Sequence, residues 1–233
     1  MKKDVIIALD FENANITLDF LSQFVDRKPF VKIGMELFYS EGNAIVQRIK
    51  KMGFKIFLDL KLHDIPNTVK KAMASLSKLD VDMINVHSAG GIEMMKAAKE
   101  GLINKDGNRP LLIAVTQLTS TSQKMLKNEL LIDKHINKTI VHYAKNTLAA
   151  CLDGVVCSPL ETEIIKQSCG KNFLTITPGI RLENSGKDDQ VRITTPAMAA
   201  KLGSDFIVVG RPITQDKNPV EVYEKCLREF CEC

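Results

Sequence analysis

Eight short runs of β-branched and other apolar residues recur along the chain, and each is followed by residues that suit a helix. The runs are Val5 to Leu9, Phe30 to Ile33, Lys55 to Leu60, Met83 to His87, Leu111 to Thr116, Gly154 to Cys157, Phe173 to Thr177 and Phe206 to Val209. Between them, helical periodicity predicts helices over Glu41 to Lys51, Thr68 to Leu79, Ile92 to Gly101, Lys134 to Ala150, Pro159 to Gln167, Pro196 to Leu202 and Pro219 to Phe230. Val69, Met73, Leu76 and Leu79, for example, line up on one helical face. Such alternation is the pattern of βαβ units around a parallel sheet, and eight strands are the number that closes a barrel. No low-complexity linker interrupts the chain, so the expectation is an α/β fold, a single (β/α)8 TIM barrel domain over residues 1–233. A dinucleotide-binding open sheet would want G-x-G-x-x-G after the first strand, where the chain instead reads Asp10-Phe11-Glu12-Asn13.

Composition narrows the function. At 233 residues, 45% hydrophobic and 26% charged, the chain is too apolar for a disordered protein and near the upper edge of what one core supports. Its formal charge of +4 comes with no basic block, which gives no support to a nucleic-acid or membrane-surface role and leaves an anionic small ligand open. The apolar stretch Val5 to Leu9 is shorter than a signal-peptide core, and no uninterrupted apolar run approaches 20 residues, so the expectation is a soluble cytoplasmic protein. Cys151, Cys157, Cys169, Cys226, Cys231 and Cys233 form no C-x-x-C pair and suit reduced thiols. The four histidines, His63, His87, His135 and His142, share no ligand spacing. No metal is expected.

In a (β/α)8 barrel, chemistry gathers at the C-terminal ends of the strands. The first run ends in Asp10, the second carries Lys32, the third runs into Asp59 and Lys61, the fourth into Asn85 and His87, and the eighth into Gly210 and Arg211. Side chains alternate across a strand, so Ile56, Leu58 and Leu60 pack under the helices while Phe57, Asp59 and Lys61 share the other face, which points Asp59 and Lys61 into the barrel mouth. Asp64 follows in the loop, and Pro66 suits the first turn of a helix. Two carboxylates flanking an ammonium fit a proton donor better than a neutral amine nucleophile. A buried ion pair tying the third strand to its loop is the plainer reading of D-x-K-x-x-D. Lys32 on the neighbouring strand favours the functional one, since two lysines and two carboxylates crowd one mouth. After the seventh and eighth runs come Thr177-Pro178-Gly179-Ile180-Arg181 and Val209-Gly210-Arg211-Pro212, the usual place for a phosphate in such barrels. A helix-capping turn is the alternative there. The polar stretch Leu182 to Gln190 suits either a solvated connector or a lid.

These residues are familiar as a set. Asp59 to Val69 (D-L-K-L-H-D-I-P-N-T-V), with Ala8 to Asp10, Val31 to Gly34, Gln117 to Ser120, Thr177 to Arg181 and Val209 to Thr214, resembles orotidine 5′-phosphate decarboxylase of the bacterial type over nearly the whole chain. D-x-K-x-x-D by itself also occurs in related phosphosugar aldolases. The specific part is H-D-I-P-N-T together with Thr119, Gln190 and Arg211.

The resemblance implies a cofactor-independent decarboxylation of orotidine 5′-phosphate to uridine 5′-phosphate in de novo pyrimidine biosynthesis. It implies catalytic roles for Lys61, which protonates C6, and for Asp59, Asp64 and Lys32 around it. Asp10 and Lys32 are expected to bond the ribose hydroxyls, and Thr119, next to Ser120, the base. Arg181, Gln190, Gly210 and Arg211 are expected to grip the 5′-phosphate. In a homodimer, Asp64, Ile65 and Thr68 are expected to reach the neighbouring site. The alternative is a metal-assisted ketose-phosphate aldolase on the same scaffold, which needs Mg²⁺. A further reading is a non-catalytic nucleotide-binding or scaffold protein in which the array only stabilises the barrel.

Overall fold

The computed structural model describes residues 3–104, 106–182 and 194–232. Its strands are β1 (Asp4–Ala8), β2 (Phe30–Ile33), β3 (Lys55–Leu62), β4 (Met83–His87), β5 (Leu111–Val115), β6 (Gly154–Val156), β7 (Leu174–Thr177) and β8 (Phe206–Val209). All pair in parallel in sequence order, and β1 closes on β8 through Ile7 and Val209, so the sheet is a closed barrel. The expected (β/α)8 architecture is therefore the observed one.

The helices are α1 (Ala14–Ser22), α2 (Met35–Lys51), α3 (Pro66–Leu76), α4 (Gly91–Leu102), α5 (Gln123–Asn128), α6 (Ile136–Ala149), α7 (Thr162–Cys169), α8 (Pro196–Lys201), α9 (Arg211–Thr214) and α10 (Pro219–Cys231). Three of these, α1, α5 and α9, have no counterpart in the periodicity reading. Two of them are short, and α1 is started by Asn13, whose side chain accepts the Ile16 amide, and presents Thr17, Phe20 and Leu21 to the core. The helix expected from Glu41 begins six residues earlier, at Met35. Gly42, at φ 61°, breaks the helical backbone inside it, so the apolar periodicity restarts just where the reading began.

Two apolar layers follow from strand alternation. Ile6, Phe30, Phe57, Met83, Ile113, Ile176 and Phe206 fill the barrel interior. Ile56, Leu58 and Leu60 lie in the outer layer with Val69, Met73 and Met94 from the helices. Each such fully buried side chain contributes about 1.5–3 kcal/mol.

The N-terminal rim is held by a repeated device. Asp82, Asp153 and Asp205, each just before an even-numbered strand, accept the amides of Ile56, Leu112 and Thr175 on the preceding strand at 2.7–2.8 Å. The same carboxylates pair with Lys50, Arg109 and Lys166. Three anions thus satisfy three backbone donors at strand starts, at the end of the barrel that serves stability.

Candidate active site

At the opposite rim lies a cavity of about 270 Å³ whose lining includes Asp10, Lys32, Asp59 and Lys61 together with Thr119, Gly179, Arg181, Gly210 and Arg211. Ala8, Phe57, Val115, Val156 and Val208 add apolar side chains to its wall.

The charges form one alternating line. Asp10 Oδ1 is 3.0 Å from Lys32 Nζ, Lys32 Nζ is 3.3 Å from Asp59 Oδ2, and Asp59 Oδ1 is 2.8 Å from Lys61 Nζ. Asp59 is 10% exposed and Lys32 11%, whereas Asp10 at 58% opens to solvent. Burial opposes the Lys32 ammonium, but attraction to Asp59 and then Asp10 outweighs it and raises its pKa. Burial opposes the Asp59 carboxylate too, and Lys32 and Lys61, with hydrogen bonds from Lys61 and Asn85, outweigh it and hold its pKa below the usual carboxylate value. Gly34 lies close beside this line: a Cβ there would lie 3.0 Å from Lys32 Nζ and 3.2 Å from Asp10 Oδ1, so both side-chain ends would have to give way by a few tenths of an ångström.

Within one chain the second carboxylate of the line is Asp10 rather than Asp64. Asp64 is exposed in the loop after β3, where its side chain accepts the Ile65 amide. Ile65 and Thr68 are exposed as well, and none of the three lines the cavity. Gln190 and the expected lid residues 184–189 lie outside the described residues. Among the described residues on either side, the Arg181 amide donates to Thr194 O and the Thr194 amide to Gly179 O, and Gly179 and Arg181 line the cavity.

Asn85 had no assigned role in the sequence, yet it is fully buried behind the array and donates to Asp59 Oδ1 at 2.7 Å. Its signal was present: a lone amide in the strand Met83-Ile84-Asn85-Val86, at the same inward parity as Met83. His87, next on that face, lies beside His63 with ring centroids 5.9 Å apart and the rings tilted by 41°. Burial, then His63 and Lys61, lower its pKa against the pull of Asp59. Among the described residues, no group of three or more His, Cys, Asp and Glu side chains is placed to hold a metal ion, and no helix is long and apolar enough to cross a membrane.

Comparison with known proteins agrees with this geometry. Residues 3–226 match the model of the "Orotidine 5'-phosphate decarboxylase / HUMPS family". Proteins named orotidine 5′-phosphate decarboxylase from Bacillus cytotoxicus and Bacillus mycoides are each 56% identical over 233 residues, covering 99% of this chain and 98% of the relative. Among solved structures, orotidine 5′-phosphate decarboxylase from Lactobacillus acidophilus superposes with a TM-score of 0.88 at 42% identity, covering 98% of this chain and 99% of the other. An uncharacterized conserved protein from Geobacillus kaustophilus gives 0.87 at 45%, covering 97% and 99%. With a closed eight-stranded barrel, a charged line at its mouth and relatives matched almost end to end, the chain belongs to the orotidine 5′-phosphate decarboxylase / HUMPS family.

Proposed function

We propose that this chain decarboxylates orotidine 5′-phosphate to uridine 5′-phosphate, without metal or cofactor. The observation that carries the reading is the Asp10–Lys32–Asp59–Lys61 line in one small cavity whose lining also includes Arg181 and Arg211. The line carries two positive and two negative groups and sums to zero. A substrate adds a carboxylate and a phosphate, and the cavity lining includes cations for both, Lys32 and Lys61 with Arg181 and Arg211.

In the reaction, the bond from C6 to the carboxylate breaks and its electron pair stays on C6 in an in-plane orbital that the ring delocalises poorly. The barrier therefore falls through charge arranged beforehand. Lys61 supplies that charge, and its Nζ–H proton passes to C6 as carbon dioxide leaves. Asp59 holds the ammonium from 2.8 Å and lies against the scissile carboxylate. Lys32 and Asp10 take the ribose hydroxyls, Thr119 the base, and Arg181, Gln190, Gly210 and Arg211 the phosphate. Phosphate binding far from C6 helps to align the charged line, which lowers the barrier without contact at the reacting carbon.

Asp64, Ile65 and Thr68 complete the neighbouring site in a homodimer. Supporting this, the six residues His63 to Thr68 are all exposed beside the site, with apolar Ile65 at 66%. We place the enzyme in the cytoplasm, a reading supported by five free cysteines among the described residues. The aldolase alternative has no support among the named relatives.

The test is ultraviolet absorbance of orotidine 5′-phosphate mixed with purified protein in EDTA. Rapid conversion to uridine 5′-phosphate is expected. A folded protein that converts none, and that acts on pentulose or hexulose phosphates once Mg²⁺ is restored, would overturn the assignment.

A further inference from the structure

The line of charges depends on an irregular piece of sheet. Between the register pairs Leu58↔Ile84 and Leu62↔Val86, β3 advances four residues while β4 advances two. Asp59, Leu60 and Lys61 therefore stand opposite the single residue Asn85, and the ladder cannot serve them all. Lys61 takes φ 52°, a left-handed backbone that a lysine adopts only when its surroundings hold it there.

Asn85 fills the gap. Its Nδ2 donates to Asp59 Oδ1 at 2.7 Å, and its Oδ1 accepts from the Lys61 backbone amide at 2.8 Å. The chemistry of the two partners sets the amide's orientation, since the carboxylate needs a donor and the N–H an acceptor. Asp59 Oδ1 is also the oxygen that meets Lys61 Nζ, which closes a ring from the Asn85 amide through the carboxylate and the lysine side chain back to the lysine backbone. Asp59 Oδ2 is left for Lys32. Asn85 lines none of the cavity and is fully buried, so it acts through its two partners.

We propose that Asn85 is the positioning residue of the decarboxylation: one side-chain amide aims the Asp59 carboxylate and also holds the strained backbone from which the Lys61 ammonium projects. The inference rests on the decarboxylase reading above. No apolar residue of similar size reproduces it, because the Asp59 carboxylate and the Lys61 amide would each lose a hydrogen bond.

The experiment compares wild type, Asn85→Ala and Asn85→Asp in steady-state decarboxylation, in uridine 5′-phosphate binding, and in circular dichroism as a check of folding. Asn85→Ala is expected to lower kcat by roughly 10²-fold, the scale of a misplacement near 1 Å, with product affinity unchanged. Asn85→Asp keeps the volume and the acceptor for the Lys61 amide but loses the donor and sets a carboxylate beside Asp59. Two carboxylates so close share a proton, so its kcat is expected to rise relative to wild type as pH is lowered from 8 to about 5.5, when a protonated carboxyl donates again. A purely structural role predicts no such pH limb. Should Asn85→Ala fail to fold, the pH profile of Asn85→Asp decides. Unchanged kcat in a folded Asn85→Ala, a loss carried by product affinity, or a wild-type pH profile in Asn85→Asp overturns the inference alone. A wild type without decarboxylase activity overturns the reading beneath it and the inference with it.

Discussion

Asp59→Asn tests whether the charged line stabilises the fold or strains it. The substitution keeps the shape and removes an anion lying 2.8 Å from Lys61 and 3.3 Å from Lys32. At an effective dielectric near 20 those attractions are worth about 6 and about 5 kcal/mol before the penalty of burial is taken off. The lowered pKa of Asp59 says which effect wins: the folded protein favours the anion more than water does, so removing it destabilises. Breaking a buried pair from one side costs about 3–5 kcal/mol. At about 2–4 °C per kcal/mol for a chain of this size, Tm falls by about 6–20 °C. Urea titrations of both proteins at pH 7 and pH 5, at one fixed protein concentration, check the sign. Because the folded pKa lies below the ordinary 3.8, the difference is fully present at both pH values and shrinks only as pH falls below 3.8 towards the folded value. A variant as stable as wild type, or more so, at pH 7 would refute this account and mark the line as strained in exchange for function.

Lys61→Ala is expected to remove nearly all turnover while uridine 5′-phosphate still binds, whereas Arg211→Ala weakens binding and slows turnover; equal modest losses from both, in kinetics and calorimetry, would refute this division. Lys61→Ala and Asp64→Ala, each inactive alone, are expected to recover partial activity when mixed and allowed to exchange subunits, and a protein sedimenting as a monomer at all concentrations refutes the shared site. Asp153→Ala strips an acceptor from the Leu112 amide and a partner from Arg109, so Tm is expected to fall by several degrees, for about 1–3 kcal/mol, with kcat unchanged. Gly154→Ala drives a Cβ into the Leu174 carbonyl oxygen, and overpacking there is expected to destabilise by about 1–3 kcal/mol or more in urea unfolding.

The eight strands were legible because each carries its own apolar run, and alternation alone told Ile56, Leu58 and Leu60 from Phe57 and Asp59. The identities of Lys32, Asp59 and Lys61, and their places at strand ends, were legible for the same local reason. Helix α1 was less so, since it depends on the Asn13 cap and on burial against its neighbours. What only the tertiary structure decided is which groups meet. Asp10 and Lys32 are 22 residues apart in sequence, and barrel closure brings them to 3.0 Å, so that Asp10, rather than Asp64, completes the line within one chain. The mismatch between β3 and β4 that calls for Asn85 is a property of two paired strands and is written in neither alone. Local sequence determines what a segment prefers, because turns and periodicity act over a few residues; closure and register determine distances between groups, and the chemistry depends on those distances.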